Sequence, residues 1–326
     1  MKKLTAFLLV LVLIFSLCAC GGNAVTSSGN ETSSAAGSSS AESDTSSAAS
    51  SVPKISSPSI SVDYNTKSSK ESTTSKTPPA VKQVTLKEIK TKMINSKDYM
   101  ITFIGDSITF GFQASSKETS FVGLVAKGIA EKLPDRTVIR YDGIENGLRQ
   151  PLKGYSEPVS VQEGANGKIT VVRSGVSGSR MGETLARMDT DFMGTANGRL
   201  PKKADLFIIH LGVNDAGDLS TYKRNMRTLV EKMMANQPET DIILMTPTST
   251  GEGKSEGSPL DEYSVAMKAL AAEKGLAVID VHEEWMKHYT PGGPGYGMGN
   301  LVADMWHPAD PGYKLIADKI LSDLLR

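Results

Sequence analysis

Hydrophobic positions fall into three regimes along this chain. Behind Lys2 and Lys3, residues 4–17 form a nearly unbroken apolar run. From about 21 to 79, large apolar groups almost vanish and Ser, Thr, Ala and Gly dominate. Beyond Pro78-Pro79, short β-branched runs alternate with stretches whose apolar residues recur at helical spacing. The runs predict buried strands at 99–104, 138–141, 169–172, 205–211, 242–245 and 277–281. Between them, helices are expected near 84–96, 119–133, 181–193, 220–236, 260–274, 283–288 and 311–325. The helix at 119–133 is typical: Phe121, Leu124, Val125, Ile129 and Leu133 share one face, and Pro134 stops it.

Strand and helix alternate about five times, and 205–211 is the kind of nearly continuous apolar run that a parallel sheet buries on both faces. The expectation is an α/β domain, a three-layer α/β/α sandwich around a central, mostly parallel sheet of about five strands. Residues 142–168 break the rhythm. Turn signals at Glu145-Asn146-Gly147 and Ala165-Asn166-Gly167 mark them as an insertion that could hold a hairpin.

The first regime is too short to span a bilayer comfortably and has the shape of a signal-peptide core. It ends in Leu17-Cys18-Ala19-Cys20-Gly21, which resembles a bacterial lipobox, with 1–19 removed and Cys20 lipidated. A plain secretory signal is the competing reading. The second regime, 20–83, buries too little apolar surface to offset its ordering entropy, and is expected to be a disordered tether. Residues 84–326 are then the domain. The implied location is the outer face of the bacterial cytoplasmic membrane, held by Cys20.

Composition narrows the chemistry. The two cysteines are Cys18 and Cys20, so the domain has no disulfide, no cysteine metal site and no thiol nucleophile. Lys plus Arg equals Asp plus Glu at 36 each, and no basic patch suggests nucleic acid. No cluster resembles a metal site, and there is no Gly-rich phosphate loop, so no cofactor is expected.

Candidate chemistry lies where strands end. Ile101 to Ile104 runs into Gly105-Asp106-Ser107, which puts the Ser107 hydroxyl at the lip of the crevice outside the strand ends. Asp and Ser are also common turn residues, so this block alone decides nothing. Asp304 and His307, three apart, could form a carboxylate–imidazole pair able to take the Ser107 proton. Gly178 and Asn214 could offer a backbone N–H and a side-chain amide to a developing oxyanion.

The order Gly-Asp-Ser, Gly, Gly-x-Asn-Asp, Asp-x-x-His resembles the SGNH (GDSL) hydrolase family over residues 100–326. The resemblance implies a flavodoxin-like sandwich and an esterase. In it Ser107 is the nucleophile, His307 the base and Asp304 its support, with the Ser107 N–H, Gly178 and Asn214 as oxyanion donors. One position departs: members often carry Asn a few residues before the oxyanion glycine, and here Arg173 stands there. Gly175 therefore competes with Gly178.

Other residues have competing roles. Gly253-Lys254-Ser255-Glu256-Gly257 spells a nucleophile elbow but lies in a polar loop without the strand and helix an elbow needs. His210 interrupts a buried strand and reads as a hydrogen-bonded core histidine. His282 follows a strand end and is a rival base, while His288 reads as solvated. Trp306 either packs the last loop or offers a flat surface to a sugar ring. Arg173 and Arg180 are salt-bridge partners or line the pocket.

The function expected is a secreted, lipid-anchored serine esterase removing short acyl groups, acetyl above all, from carbohydrate or a cell-envelope polymer. Alternatives are a lipase or lysophospholipase-type acylhydrolase, a wall-polymer acyltransferase, and a non-catalytic binding module of the same fold.

Overall fold

The computed structural model describes residues 84–193, 200, 203–215, 217–248 and 259–325. The expected leader, the lipidation site Cys20, the tether and the Gly253–Gly257 elbow lie outside these residues.

In chain order the elements are α1 (Leu86–Asn95), β1 (Asp98–Gly105), α2 (Ser107–Phe110), α3 (Phe121–Lys132), β2 (Thr137–Ile144), β3 (Gly154–Tyr155), β4 (Val159–Gln162) and β5 (Lys168–Gly175). There follow α4 (Met181–Ala186), α5 (Met188–Asp191), β6 (Leu206–His210), α6 (Leu219–Asn236), β7 (Asp241–Met245), α7 (Pro259–Lys274), β8 (Ala277–Ile279), α8 (Val281–Met286) and α9 (Asp310–Leu325).

One sheet of eight strands runs in the order β3-β2-β5-β1-β6-β7-β8, with β4 also pairing β2. From β2 to β8 every neighbour on that path is parallel. The antiparallel strands β3 and β4 extend the β2 edge. The sheet therefore has eight strands rather than about five: six on the parallel path and two more, β3 and β4, within the expected insertion, where the chain is exposed or half-exposed and carries no apolar run. Strand β2 itself continues to Ile144, so the insertion begins at 145 and not 142.

Period-two alternation divides the core into two layers. Ile101, Phe103, Leu206 and Ile208 face α1, α3 and α9, packing on Met93, Phe121, Ile129, Tyr313 and Ile316. Ile104, Phe207, Ile209 and Leu244 face the other way, onto Met226, Leu229 and Val230 of α6 and Met267 of α7. Nearly continuous apolar runs are thus buried on both sides, as a sheet covered by helices on each face requires.

Two local departures matter for the site. The helix expected over 181–193 is two short helices, interrupted at Arg187 (φ −102°, ψ 5°). There the buried guanidinium pairs with Asp191 at 2.7 Å. It also donates to the Gly105 carbonyl at 3.2 Å and the Thr184 hydroxyl at 3.2 Å. The strand expected to reach 281 stops at Ile279, because Asp280 accepts the Glu283 N–H at 3.1 Å and starts α8.

Candidate active site

β1 is central in the sheet, and its last residue is Gly105. A Cβ there would lie 2.0 Å from the Thr109 hydroxyl oxygen, so only glycine lets α2 fold back onto the strand end. The region reads in sequence as a turn, yet Ser107 opens a four-residue helix. Asp106 caps it, its Oδ1 accepting the Ile108 N–H at 2.9 Å. The Ser107 N–H is among the first-turn amides that a helix leaves without an internal partner.

His307 arrives from the opposite end of the sequence, on the loop before α9. That loop is folded by the Ala303 N–H donating to the His307 carbonyl at 2.9 Å and the Ala309 N–H to the Leu301 carbonyl at 2.9 Å. His307 Nε2 lies 3.0 Å from Ser107 Oγ. Its Nδ1 lies 2.9 Å from each Asp304 carboxylate oxygen. A carboxylate at Nδ1 selects the tautomer with the proton there, which leaves the Nε2 lone pair facing the serine hydroxyl. The Asp304 carboxyl is held below its ordinary range. Burial opposes this, but the His307 ring and the Trp306 and His307 N–H groups outweigh it. The ring is also packed by Phe112, centroids 4.7 Å apart.

Gly178 and Asn214 reach the same cavity, a cleft of about 440 Å³ lined by Ser107, His307 and both of these residues. Gly178 has φ +73°, in the left-handed region. Asn214 follows β6 in a 3-10 turn, and its Nδ2 donates to the Ser179 carbonyl at 3.2 Å, with Asp106 Oδ2 at 3.4 Å. Gly175 is separated from the cavity. It ends β5 under α2, where an added Cβ would meet the Phe110 nitrogen at 2.2 Å.

Two neighbouring carboxyls are buried. Desolvation raises Asp106 to about 7, against the hydrogen bond from Ile108. It raises Asp215 to about 6, against the Met181 N–H that Asp215 accepts.

The remaining candidates separate cleanly. Arg173 lies away from the cavity, fully buried, donating to the Phe110 carbonyl at 3.1 Å and the Ser120 hydroxyl at 2.9 Å and pairing with Asp142 at 2.6 Å. Arg180 is exposed and lines the cavity, as does Trp306, 47% exposed. His282 does not line the cavity: Nε2 meets Asp261 at 2.5 Å and Nδ1 the Pro247 carbonyl at 3.2 Å, so both ring nitrogens are engaged. His288 is exposed beyond α8.

The reading of His210 is corrected in part. It is a core residue, but among the described residues neither ring nitrogen has a hydrogen-bond partner. Its ring meets Phe121 edge-on at 6.0 Å, and burial pushes its pKa down to about 3, so it is neutral.

Sequence reasoning missed Phe112, Leu148 and Arg149, which also line the cleft. Leu148 and Arg149 follow the carboxyl end of β2, the edge of a parallel sheet where ligands bind, and that position was the available signal. Leu148 packs so close to Gly178 that a Cβ on the glycine would fall 2.6 Å from it. Among the described residues there is no group of three His, Cys, Asp or Glu able to hold a metal ion.

The arrangement can transfer an acyl group: a hydroxyl facing an oriented imidazole, and N–H donors converging on one cleft. Residues 158–315 match the GDSL-like lipase/acylhydrolase family. This stretch contains Gly178, Asn214, Asp304 and His307 and begins after Ser107. Similar solved structures include an acetyl xylan esterase, 18% identical, covering 69% of this chain and 100% of its own, with a TM-score of 0.51. Another is a two-domain esterase active on acetylated mannans, 18% identical, covering 73% of this chain and 52% of its own, with a TM-score of 0.52. At such identity the likeness is one of fold. No curated protein matches the chain in sequence.

Proposed function

We propose, from the match of residues 158–315 to the GDSL-like lipase/acylhydrolase family, that this chain is a carboxylic-ester hydrolase and that it removes acetyl groups from carbohydrate through Ser107. The observation that carries the reading is the 3.0 Å approach of Ser107 Oγ to His307 Nε2, with Asp304 on the far side of the same ring. In the proposed cycle His307 takes the hydroxyl proton as Ser107 Oγ attacks the ester carbonyl. The oxyanion is met by the Ser107 and Gly178 N–H groups and by Asn214 Nδ2. His307 then gives its proton to the leaving alcohol, and water, activated by the same ring, releases acetate from the acyl-enzyme.

Support for acetylated carbohydrate comes from the two structural neighbours, which carry that activity in their names, and from Trp306, half-exposed beside His307. An exposed aromatic face suits a sugar ring. A nitrophenyl-ester chain-length series tests this: acetate should turn over fastest, longer acyl groups progressively slower, and Ser107→Ala should be inactive. Turnover rising with chain length would favour a lipid substrate. No turnover by the wild type would sink the esterase reading.

We propose also that Cys20 is lipidated and 20–83 tethers the enzyme at the outer membrane face. The apolar run ending in Leu17-Cys18-Ala19-Cys20 supports this. Cys20→Ala protein that stayed with membranes through a high-salt wash would count against it.

A further inference from the structure

The cleft carries more positive charge than deacetylating a neutral sugar needs. Arg149 and Arg180 both line it, and none of its lining residues is Asp or Glu. Among the described residues neither guanidinium has a carboxylate within ion-pair distance. The acids close by are otherwise engaged. Glu145 accepts the Ser177 N–H at 2.5 Å, Glu183 the backbone N–H of Arg180 at 2.8 Å, and Asp304 holds His307. Asp215 senses the Arg180 charge but is buried on the Met181 N–H.

Arg149 is also held in place. Its backbone is left-handed (φ 61°), a conformation that few non-glycine residues adopt. Its N–H donates to the Ser177 carbonyl at 3.0 Å and its Nε to the Gly178 carbonyl at 3.1 Å. Nε is thereby spent on the glycine block, and the terminal guanidinium nitrogens remain for a ligand. The supporting segment is tied down on its far side, where Asp191 accepts the Leu152 N–H at 3.1 Å and the Tyr155 hydroxyl bonds the Asp191 carbonyl at 2.5 Å. A guanidinium is planar, always charged and shaped for the two oxygens of a carboxylate or phosphate. Two in a concave site raise the local concentration of anions.

We propose that the preferred substrate is an anionic ester: a molecule that bears, besides the scissile acetyl, a carboxylate or phosphate bound by Arg149 and Arg180. This rests on the esterase reading and narrows its substrate to acidic acetylated glycans over neutral ones.

The test compares full-length protein on three acetyl esters with similar leaving groups: methyl 4-acetoxybenzoate (neutral), 4-acetoxybenzoate (carboxylate) and 4-acetoxyphenyl phosphate. The readout is the ratio of kcat/KM on each anionic ester to that on the neutral one, within each variant. In the wild type at low ionic strength at least one ratio should exceed about ten, the scale of one charge-assisted hydrogen bond. The larger ratio tells a carboxylate site from a phosphate site. Added salt should lower it, and Arg149→Gln/Arg180→Gln, checked for folding by its melting curve, should bring it to one or below. Arg180→Lys should keep part of it. A wild-type ratio of one or less overturns the proposal. So does a double variant that slows all three esters equally, since the arginines would then serve the oxyanion and not the substrate's charge. No turnover of any ester by the wild type would instead remove the esterase reading itself, and this inference with it.

Discussion

Asp304 orients itself before it orients His307: its Oδ1 accepts the Trp306 N–H at 2.7 Å and the His307 N–H at 2.8 Å, while both its oxygens lie 2.9 Å from His307 Nδ1. The carboxylate therefore fixes ring position and tautomer together. Asp304→Asn should keep the shape but put an amide opposite Nδ1, favouring the wrong tautomer, and lose up to about 10⁴ in kcat. Asp304→Ala should retain more activity than Ser107→Ala, because water can enter and accept the Nδ1 proton. Near-normal turnover of Asp304→Asn would remove the carboxylate from the mechanism.

Ser107 and His307 should behave as one unit, since the hydroxyl is a poor nucleophile without the imidazole. Each alanine variant should nearly abolish turnover, and the double variant should be little worse than either. Single-turnover kinetics on 4-nitrophenyl acetate would show it. Losses that multiply would mean the two residues act independently. A serine-directed phosphonate should label Ser107 and leave Ser255 unmodified.

Asn214 is positioned by the Ser179 carbonyl at 3.2 Å, on the cleft side of β6. It is half-buried at the end of a strand, so Asn214→Ala should fold, with a melting temperature only slightly lowered by the lost hydrogen bond. It should lose roughly 10²–10³ in kcat, the usual effect of deleting one oxyanion donor. Full activity would take Asn214 out of the site.

Asp106 makes stability depend on pH. In the unfolded chain its carboxyl ionises near the ordinary value of 3.8, whereas burial raises it to about 7 in the fold. Between these values the folded state binds more protons, so this residue's contribution to stability falls as pH rises through the window and is flat above it. Asp106→Asn removes the titration but leaves an acceptor for the Ile108 N–H. The wild type should therefore lose ground to the variant in urea midpoint between pH 5 and 8. A difference independent of pH would show that Asp106 is not titrating there.

The two-layer core and the meeting of Ser107, Asp304 and His307 were legible because each rests on a strong local signal. Ile101–Ile104 and Leu206–Leu211 are apolar but for Thr102 and His210, and the site blocks sit at strand ends or just before the last helix. What escaped depends on partners far away in sequence. Met181 to Met193 has the spacing of one helix, and nothing local reveals that the Arg187 guanidinium will reach Gly105, 82 positions earlier, and break it. Strands β3 and β4 present exposed or half-exposed residues and are strands only because β2 supplies a free edge. The four-residue helix at Ser107 is too short to show a period. Arg149 sits among turn residues whose direction no pattern encodes. His210 shows the limit of a general rule: burial was readable, but the assumption that a buried ring finds a polar partner failed among its aromatic neighbours.

Ser107 and the base facing it are 200 positions apart. A ribosome working from the N-terminus therefore makes the serine long before the imidazole that can take its proton. Through all that time the hydroxyl has ordinary alcohol reactivity, and the crevice lacks the wall that Trp306 and His307 form. On the proposed mechanism, a product broken off anywhere between the two residues carries a whole Gly-Asp-Ser turn and should hydrolyse no ester.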